Sequence, residues 1–223
     1  MDLTGWLAAA RIDPAVPALR PDYRALLVAA DGLRPGPSDK WSEALLVDAE
    51  RHAPPLGHPH VGAWADAFRA FGAKPQRTRP SLAALLRRDG LPRIDRLTDA
   101  YNAISVRYAV PLGGEDLDAY VGPLRLTRAA GDEPFETVAA GEPVVETPEP
   151  GEVVWRDDAG VTCRRWNWRQ CTRTRLTTST ARAVFVLDAL GPMDDAALAA
   201  AGDALAEALR AGSPGVRIER RRL

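Results

Sequence analysis

The chain has 223 residues, a length that suits one domain able to bury its own core without disulfides or a structural metal. Its 29 basic and 30 acidic side chains give a net charge of −1, which excludes a uniformly basic nucleic-acid binder but not a local basic patch. Two cysteines are too few for a disulfide framework, and the sequence contains no signal-peptide pattern and no apolar run of membrane-spanning length. We therefore expect a cytoplasmic protein with free thiols and no membrane partner.

The first 40 residues differ in composition from the rest of the chain. They are rich in alanine and proline and end in the turn-forming run GLRPGPSDK. This pattern predicts an N-terminal extension and linker over residues 1–40, loosely attached and with a short helix over 19–30. A single domain is then expected over residues 41–223.

Three helices are predicted in the next part of the chain. Apolar residues recur at helical spacing over 61–71, and Gly72 ends that pattern. A second helix follows Pro80, with Ser81 or Thr78 as its N-cap. A third is predicted from about residue 94 to 106.

After Pro111 the sequence becomes typical of strands. Short apolar runs alternate with glycine, proline and acidic turns, and they predict strands over 121–126, 152–155, 161–165 and 183–187. The segment 177–190 as a whole fits either a strand or a helix, whereas 194–211 predicts an alanine-rich helix and 216–220 a final edge strand. Helices followed by strands and one more helix predict an α+β fold rather than an alternating βαβ sheet.

Basic residues are concentrated in two segments. Residues 69–96 hold eight basic and two acidic side chains, and residues 161–182 hold six arginines and no acid. Between them, residues 113–158 hold twelve acids against three arginines. Folded together, the two basic segments would make one positive face for nucleic acid, although a high-GC genome also explains an arginine bias. The candidate contacts are Arg87, Arg88, Arg164, Arg165 and Arg169.

The predicted helix over 94–106 carries polar residues on one face. Asp95, Asp99 and Asn102 fall at positions i, i+4 and i+7, and Asp116 follows soon after a glycine pair. Carboxylates and an amide that meet at a helix end are able to hold an ammonium group. Helix capping and turn stabilisation by the same residue types are the structural alternative.

Other residue clusters give weaker indications. The run Trp166–Arg169 interleaves aromatic and basic side chains, which suits base stacking, although an edge strand explains it almost as well. His52, His58 and His60 lack a suitably spaced further ligand, so we expect neither a metal nor another cofactor. Cys163 has no adjacent base in the sequence, which disfavours a cysteine nucleophile. Neither a phosphate-binding glycine loop nor a G-x-S-x-G elbow is present.

Several motifs over residues 60–190 resemble the B3/B4 domain of the phenylalanyl-tRNA synthetase β subunit, and especially the free-standing proteins built from that domain alone. They are, in chain order, R-P-S-L-x-x-L-L-R-R, the D-x-x-N of Asp99–Asn102, V-P-L-G-G-x-D-L-D, G-P-L-x-L-x-R, G-E-V-V-W-R-D, C-R-R-W-N-W-R and the T-x-x-T of Thr177–Thr180.

The resemblance implies an α+β module with helices packed on a mostly antiparallel sheet or sandwich. In the synthetase this domain hydrolyses tyrosine wrongly attached to phenylalanine tRNA. The matching positions place Tyr101 and Asn102 in the editing pocket, beside the loop after Pro111. This chain has Gly113 where bacterial synthetases have a histidine, and RRWNWRQC, which contains Asn167, replaces a G-G-x-x-S segment and a pocket glutamate. We therefore expect the pocket to accept more than tyrosine.

The resemblance thus implies a tRNA-binding protein that acts in trans as an aminoacyl-tRNA deacylase. Its expected substrate-binding residues are Asp99, Tyr101, Asn102, Gly113, Asp116 and Asn167, and its expected partners are aminoacylated tRNA and an amino acid. The ester is already activated, so a positioned water, an oxyanion donor and a held ammonium suffice for hydrolysis. The alternative is a non-catalytic tRNA or amino-acid binding module derived from a synthetase editing domain.

Overall fold

Residues 2–223, which the computed structural model describes, form seven α-helices and eleven strands. The helices are α1 (Leu3–Ala9), α2 (Ala15–Leu19), α3 (Lys40–Arg51), α4 (Pro59–Ala70), α5 (Ser81–Leu85), α6 (Arg96–Arg107) and α7 (Asp195–Gly212). The strands are β1 (Arg11–Ile12), β2 (Arg24–Asp31), β3 (Leu112–Asp116), β4 (Arg125–Arg128), β5 (Phe135–Ala139), β6 (Glu142–Glu146), β7 (Val153–Arg156), β8 (Val161–Arg164), β9 (Arg169–Gln170), β10 (Arg182–Ala189) and β11 (Arg217–Arg222).

A four-stranded antiparallel sheet forms the centre of the molecule, with strand order β11-β2-β10-β3. The two inner strands, β2 and β10, are apolar along almost their whole length because both faces of the sheet are covered. One face packs against α6 and α7, and the other belongs to the core shared with α1, α4 and the second sheet. The final strand β11 lies at an edge, as the sequence predicts.

The second sheet has five strands in the order β1-β4-β7-β8-β9. Only the short β1–β4 pairing is parallel, and a separate hairpin joins β5 to β6. The predicted α+β class with helices packed on mostly antiparallel sheets is therefore confirmed. The segment 177–190, which fitted either a strand or a helix, contains strand β10. Of the strand predicted over 121–126, only the part from Arg125 onward is a strand in the structure. Gly122, with φ of +74°, and Pro123 keep residues before Arg125 in a turn.

The N-terminal segment is an integral part of the core, and the prediction of a loosely attached extension with a helix over 19–30 is wrong. Residues 24–31 form the inner strand β2, which pairs with β10 along its full length. Leu3, Leu7 and Val16 of α1 and α2 are also buried in the core. A continuous apolar run has no period that separates a strand covered on both faces from a buried helix, which explains the error.

The helices that border the cavity described below are fixed at their starts in different ways. Asp95 is the N-cap of α6 and accepts hydrogen bonds from the amides of Leu97 and Thr98. The predicted N-cap Ser81 is wrong, because its hydroxyl makes no hydrogen bond and Pro80 precedes the helix. Instead the Ser81 amide donates to the Asn167 carbonyl at 3.0 Å, which fastens α5 to the loop between β8 and β9.

Among residues 2–223, no helix combines the length and the apolar character that crossing a membrane requires.

Candidate functional site: a cavity with two buried carboxylates

A cavity of about 290 Å³ lies where α5, α6, the central sheet and the end of β8 meet. Helical spacing brings Thr98, Tyr101 and Asn102 of α6 to one wall. Alternating residues of β3 and β10 form another wall. The residues these two strands contribute include Gly113, Glu115, Val186 and Asp188.

A tight loop at residues 165–168, here named the tryptophan loop, forms the third wall. Arg165 and Trp166 both have left-handed backbones, with φ of 50° and 66°, a conformation that costs about 1 kcal/mol or more for each non-glycine residue. The Trp166 ring, fully buried, lies 4.9 Å from the Tyr23 ring and 5.4 Å from the Trp64 ring, and this burial offsets the cost. The strained turn sets Asn167 and Trp168 against the cavity.

Asp188 is a buried carboxylate in the cavity wall, with 2% of its surface exposed. Its Oδ1 accepts a 2.6 Å hydrogen bond from the Tyr23 hydroxyl, and its Oδ2 a 3.4 Å contact from the Asn167 amide. Burial outweighs these hydrogen bonds and raises the pKa of Asp188 to about 7. At neutral pH this side chain is therefore close to its titration midpoint.

Glu115 is a second buried carboxylate in the same cavity, 3% exposed. Its Oε2 accepts hydrogen bonds from the Tyr120 hydroxyl at 2.5 Å and the Thr174 hydroxyl at 2.9 Å. The Thr162 hydroxyl also acts as a hydrogen-bond donor to this carboxylate. Burial raises the pKa of Glu115, and the hydroxyl donors oppose that shift.

Four of the six residues predicted to bind substrate line this cavity, and two do not. Tyr101, Asn102, Gly113 and Asn167 are all in its lining. The predicted residues outside the cavity are both engaged elsewhere. Asp99 accepts hydrogen bonds from the Ser42 hydroxyl at 2.9 Å and the Ile94 amide at 2.8 Å. Asp116 accepts from the Thr180 hydroxyl at 2.6 Å and the Asp118 amide at 2.9 Å. These carboxylates fix loops, so we remove them from the candidate site.

The Asn102 side chain is 6% exposed, and its amide makes no hydrogen bond to another described residue. A buried amide without a protein partner in a cavity wall is available to a ligand. The neighbouring Gly113 leaves room for Gln170, since a Cβ at position 113 would lie 2.9 Å from the Gln170 Nε2.

Arginines of the second basic segment are neutralised within the protein. Arg164 is buried and binds Glu152 through two nitrogens at 2.9 Å, and a third nitrogen binds Glu146 at 2.8 Å. Arg165 pairs with Glu152 at 3.2 Å and Arg169 with Glu146 at 2.6 Å. Arg164 is therefore fully engaged inside the protein, and Arg165 and Arg169 do not carry free charge. Contact of these three arginines with tRNA stays a prediction.

The first basic segment is different, because five of its eight positive side chains are exposed and form no salt bridge within residues 2–223, whereas Arg69, Arg93 and Arg96 are paired with acids. Arg87 and Arg88 follow α5, and no acidic oxygen of residues 2–223 forms a salt bridge with either of them. The same holds for three further residues just before α5, which are Lys74, Arg77 and Arg79. Arg88 also lines the cavity, so this basic strip, residues 74–88, reaches its rim.

The three histidines are used in local structure. His60 is buried; its Nδ1 donates to the Ala109 carbonyl at 2.7 Å, and its Nε2 accepts from the Trp64 indole and the Leu190 amide. His58 caps α4 and His52 lies beside Asp48. Within residues 2–223 no three histidine, cysteine or acidic side chains are grouped to hold a metal ion.

We expect protein purified without chelator to contain less than stoichiometric zinc, because both ring nitrogens of His60 are engaged and no ligand cluster is present. Elemental analysis of such protein checks this expectation. One zinc per chain would contradict it and indicate metal-assisted hydrolysis.

Glu115 and Asp188 are not among the residues predicted from the sequence to bind substrate. A signal was available for Asp188, which interrupts the apolar run AVFVLDAL at a position that faces the cavity from β10. An acid in an inner strand is costly unless it has a partner or a function.

The chain belongs to the B3/4 domain family, whose model matches residues 63–208. The family membership predicted from the motifs is confirmed. Among solved structures, the chain is similar to the crystal structure of an N-terminal fragment of the phenylalanyl-tRNA synthetase β-subunit from Pyrococcus horikoshii, with a TM-score of 0.49 and 15% sequence identity. The match covers 94% of this chain and 50% of that one, so the chain spans about half the length of the fragment. No curated protein matches the sequence.

Proposed function

We propose that this protein binds aminoacylated tRNA and hydrolyses the ester of a mischarged amino acid in the cavity. The observation that carries the proposal is the unpartnered amide of Asn102, which lines an open-mouthed cavity whose rim holds the unpaired Arg88. Membership of the B3/4 family supports the same activity.

The cavity has the groups that ester hydrolysis needs. Asn102 is placed to donate a hydrogen bond from its amide nitrogen to the carbonyl oxygen that gains negative charge, and its amide oxygen is able to orient a water. The buried carboxylate of Glu115 is able to accept hydrogen bonds from the ammonium group of the amino acid. Because the aminoacyl ester is activated, positioning of these groups accounts for most of the required rate increase.

Release of the free amino acid from a panel of mischarged tRNAs by the purified protein tests the proposal. Catalysis predicts release that follows the protein concentration. Binding of tRNA without release on any ester would contradict catalysis.

A non-catalytic binding module is the second candidate, and one observation favours it. Cys163, the thiol in the cavity lining, has its pKa raised well above the usual value by burial, so it is a poor nucleophile at neutral pH. Under this alternative the chain would bind the aminoacyl end of tRNA and protect it from hydrolysis by water.

Replacing both Arg87 and Arg88 by glutamate is expected to weaken tRNA binding about tenfold or more at physiological salt. Each lost phosphate contact should reduce the slope of log affinity against log salt by about 0.7 to 0.9. Fluorescence anisotropy of labelled tRNA at several salt concentrations measures both quantities.

The matched control replaces by glutamate two exposed, unpaired arginines that lie outside the cavity lining, Arg34 and Arg210. If this control weakens tRNA binding as much as the Arg87 and Arg88 variant does, Arg87 and Arg88 contribute to tRNA affinity only through the net charge of the protein. An unchanged tRNA affinity of the Arg87 and Arg88 variant would show that tRNA does not bind to the basic strip.

A further inference from the structure

Glu115 and Asp188 differ from the other buried acids of the described chain because neither has an arginine partner or a backbone amide donor. Glu133, Glu152 and Asp157 each form a salt bridge with arginine. The remaining two buried acids, Asp95 and Asp99, accept backbone amides around the start of α6. The hydrogen-bond donors to Glu115 and Asp188 are neutral hydroxyl and amide groups, and both residues line the cavity.

The surroundings of Asp188 are aromatic and uncharged. Trp155 and Trp166 line the cavity beside it, and their indole nitrogens are buried without a hydrogen-bond partner. A carboxylate among aromatic rings is an arrangement that favours an ammonium or guanidinium group, through the ion pair and the ring faces together.

The two ends of the cavity also differ in exposure. The rim, formed by Arg88 and Ile94, is exposed, whereas Asp188 and Trp166 are almost completely buried. An amino acid esterified to tRNA has to leave its ester near the rim, so its side chain extends toward the buried end. Glu115 is as buried as Asp188, but the strand register separates them: the Asp188 amide donates to the Pro111 carbonyl, and Glu115 lies four residues further along the chain, on β3. Asp188, beside the buried Trp166, is therefore placed to meet the end of a side chain, and Glu115 to meet a second positive group.

We infer that the cavity selects amino acids with a positively charged side chain, with Asp188 binding the side-chain cation and Glu115 the α-ammonium group. This inference rests on the proposed function for the ester and tRNA, but the recognition of a doubly charged amino acid is tested without either.

Binding of amino-acid amides, which lack the hydrolysable ester, is the direct test. By calorimetry we expect L-lysinamide or L-argininamide to bind about 100-fold more tightly than L-norleucinamide, which has a similar length and no side-chain charge. Asp188→Asn should remove this preference, so that lysinamide binds no more tightly than norleucinamide. Glu115→Gln should weaken all the amides, since each carries an α-ammonium group.

The preference should also depend on pH. A cation binds the ionised form of Asp188, so lysinamide affinity is expected to fall about tenfold for each pH unit below 7. Other titratable or charged groups also lie near Asp188 or in the same cavity. Burial raises the pKa of Tyr23, Tyr101 and Cys163 and lowers that of His60, so these four stay neutral near pH 7. Two arginines, Arg88 and Arg169, carry positive charge in the cavity lining. Glu115 also has a raised pKa, and the Glu115→Gln variant separates its contribution.

Thermal melting controls for the fold of the Asp188→Asn variant. Because the folded state raises the pKa of Asp188, the ionised carboxylate costs stability as the pH rises from about 4 through 7. The variant should therefore melt no lower than wild type at pH 8.

Equal affinity for lysinamide and norleucinamide, tightest binding of tyrosinamide, or an unchanged preference in Asp188→Asn would each overturn the inference. Failure of the proposed function is separate from these outcomes. Lysinamide binding without hydrolysis of any mischarged tRNA would contradict the deacylase alone, whereas hydrolysis of only neutral aminoacyl esters would contradict the cation selectivity alone.

Discussion

Asn102→Ala is expected to slow the release of amino acid from mischarged tRNA about 100-fold without loss of the fold. One lost hydrogen bond to a developing oxyanion costs about 3 kcal/mol in the transition state, which corresponds to this factor. The fold should tolerate the change because the Asn102 side chain makes no hydrogen bond to another described residue. Single-turnover kinetics, with mischarged tRNA at saturating protein, measure the chemical step.

The matched control is Arg107→Ala, an exposed residue on the same helix that lies outside the cavity lining. Its rate should stay at the wild-type level. Full activity of Asn102→Ala would show that the reaction takes place in another part of the molecule. If wild type hydrolyses no ester at all, the binding-module alternative is favoured instead.

The helices and most strands of the second half could be predicted because their patterns are local. Residues 61–71 and 194–211 have apolar positions at helical spacing, and the structure has α4 and α7 there. Strand β2 could not be recognised from its apolar run alone. It is extended because it pairs with β10, which lies more than 150 residues further along the chain. Long-range pairing of this kind leaves no local signal.

The candidate site was predictable only in part for a similar reason. Asn102 could be recognised from its position on a helix face and from the family motif. Asp99 shares that face in the sequence, but Ser42 of α3 reaches its carboxylate and removes it from the cavity. No spacing within α6 reveals this contact, because the partner lies 57 residues earlier.

The distribution of charge shows where reasoning from sequence blocks fails. Two basic segments separated by an acidic one predict a shared positive face only if the acids stay apart from the arginines. In the fold the acidic residues Glu146 and Glu152 lie beside β8 and its loop, so they neutralise Arg164, Arg165 and Arg169. The basic strip at residues 74–88 is not neutralised in this way, because no acidic strand packs against it.

Glu152→Ala is expected to destabilise the protein by about 3 to 5 kcal/mol. Both Glu152 and Arg164 are buried, so removing the carboxylate leaves an uncompensated guanidinium in the interior. For a chain of this size the melting temperature should fall by about 10 °C. Glu146→Ala is the matched control: it removes a partner of the same arginine, but this acid is 34% exposed, and about 1 kcal/mol or less is expected.

The effect of Glu152→Ala should shrink in acid, and the direction follows from the pKa. Burial alone would raise the pKa of Glu152, but Arg164 and Arg165 outweigh burial and lower it. A lowered carboxyl pKa stabilises the fold above the unfolded value of about 4, and that stabilisation is lost as the pH falls through the folded pKa. Melting curves from pH 7 to pH 3 should therefore converge for wild type and variant. Equal stability of wild type and variant at pH 7 would show that Arg164 finds another partner.

Glu152 also holds the tryptophan loop, because its carboxylate accepts a hydrogen bond from the Arg165 amide at 3.1 Å. Loss of this carboxylate should loosen the strained loop. The Glu152→Ala variant should therefore bind amino-acid amides more weakly even below its melting temperature.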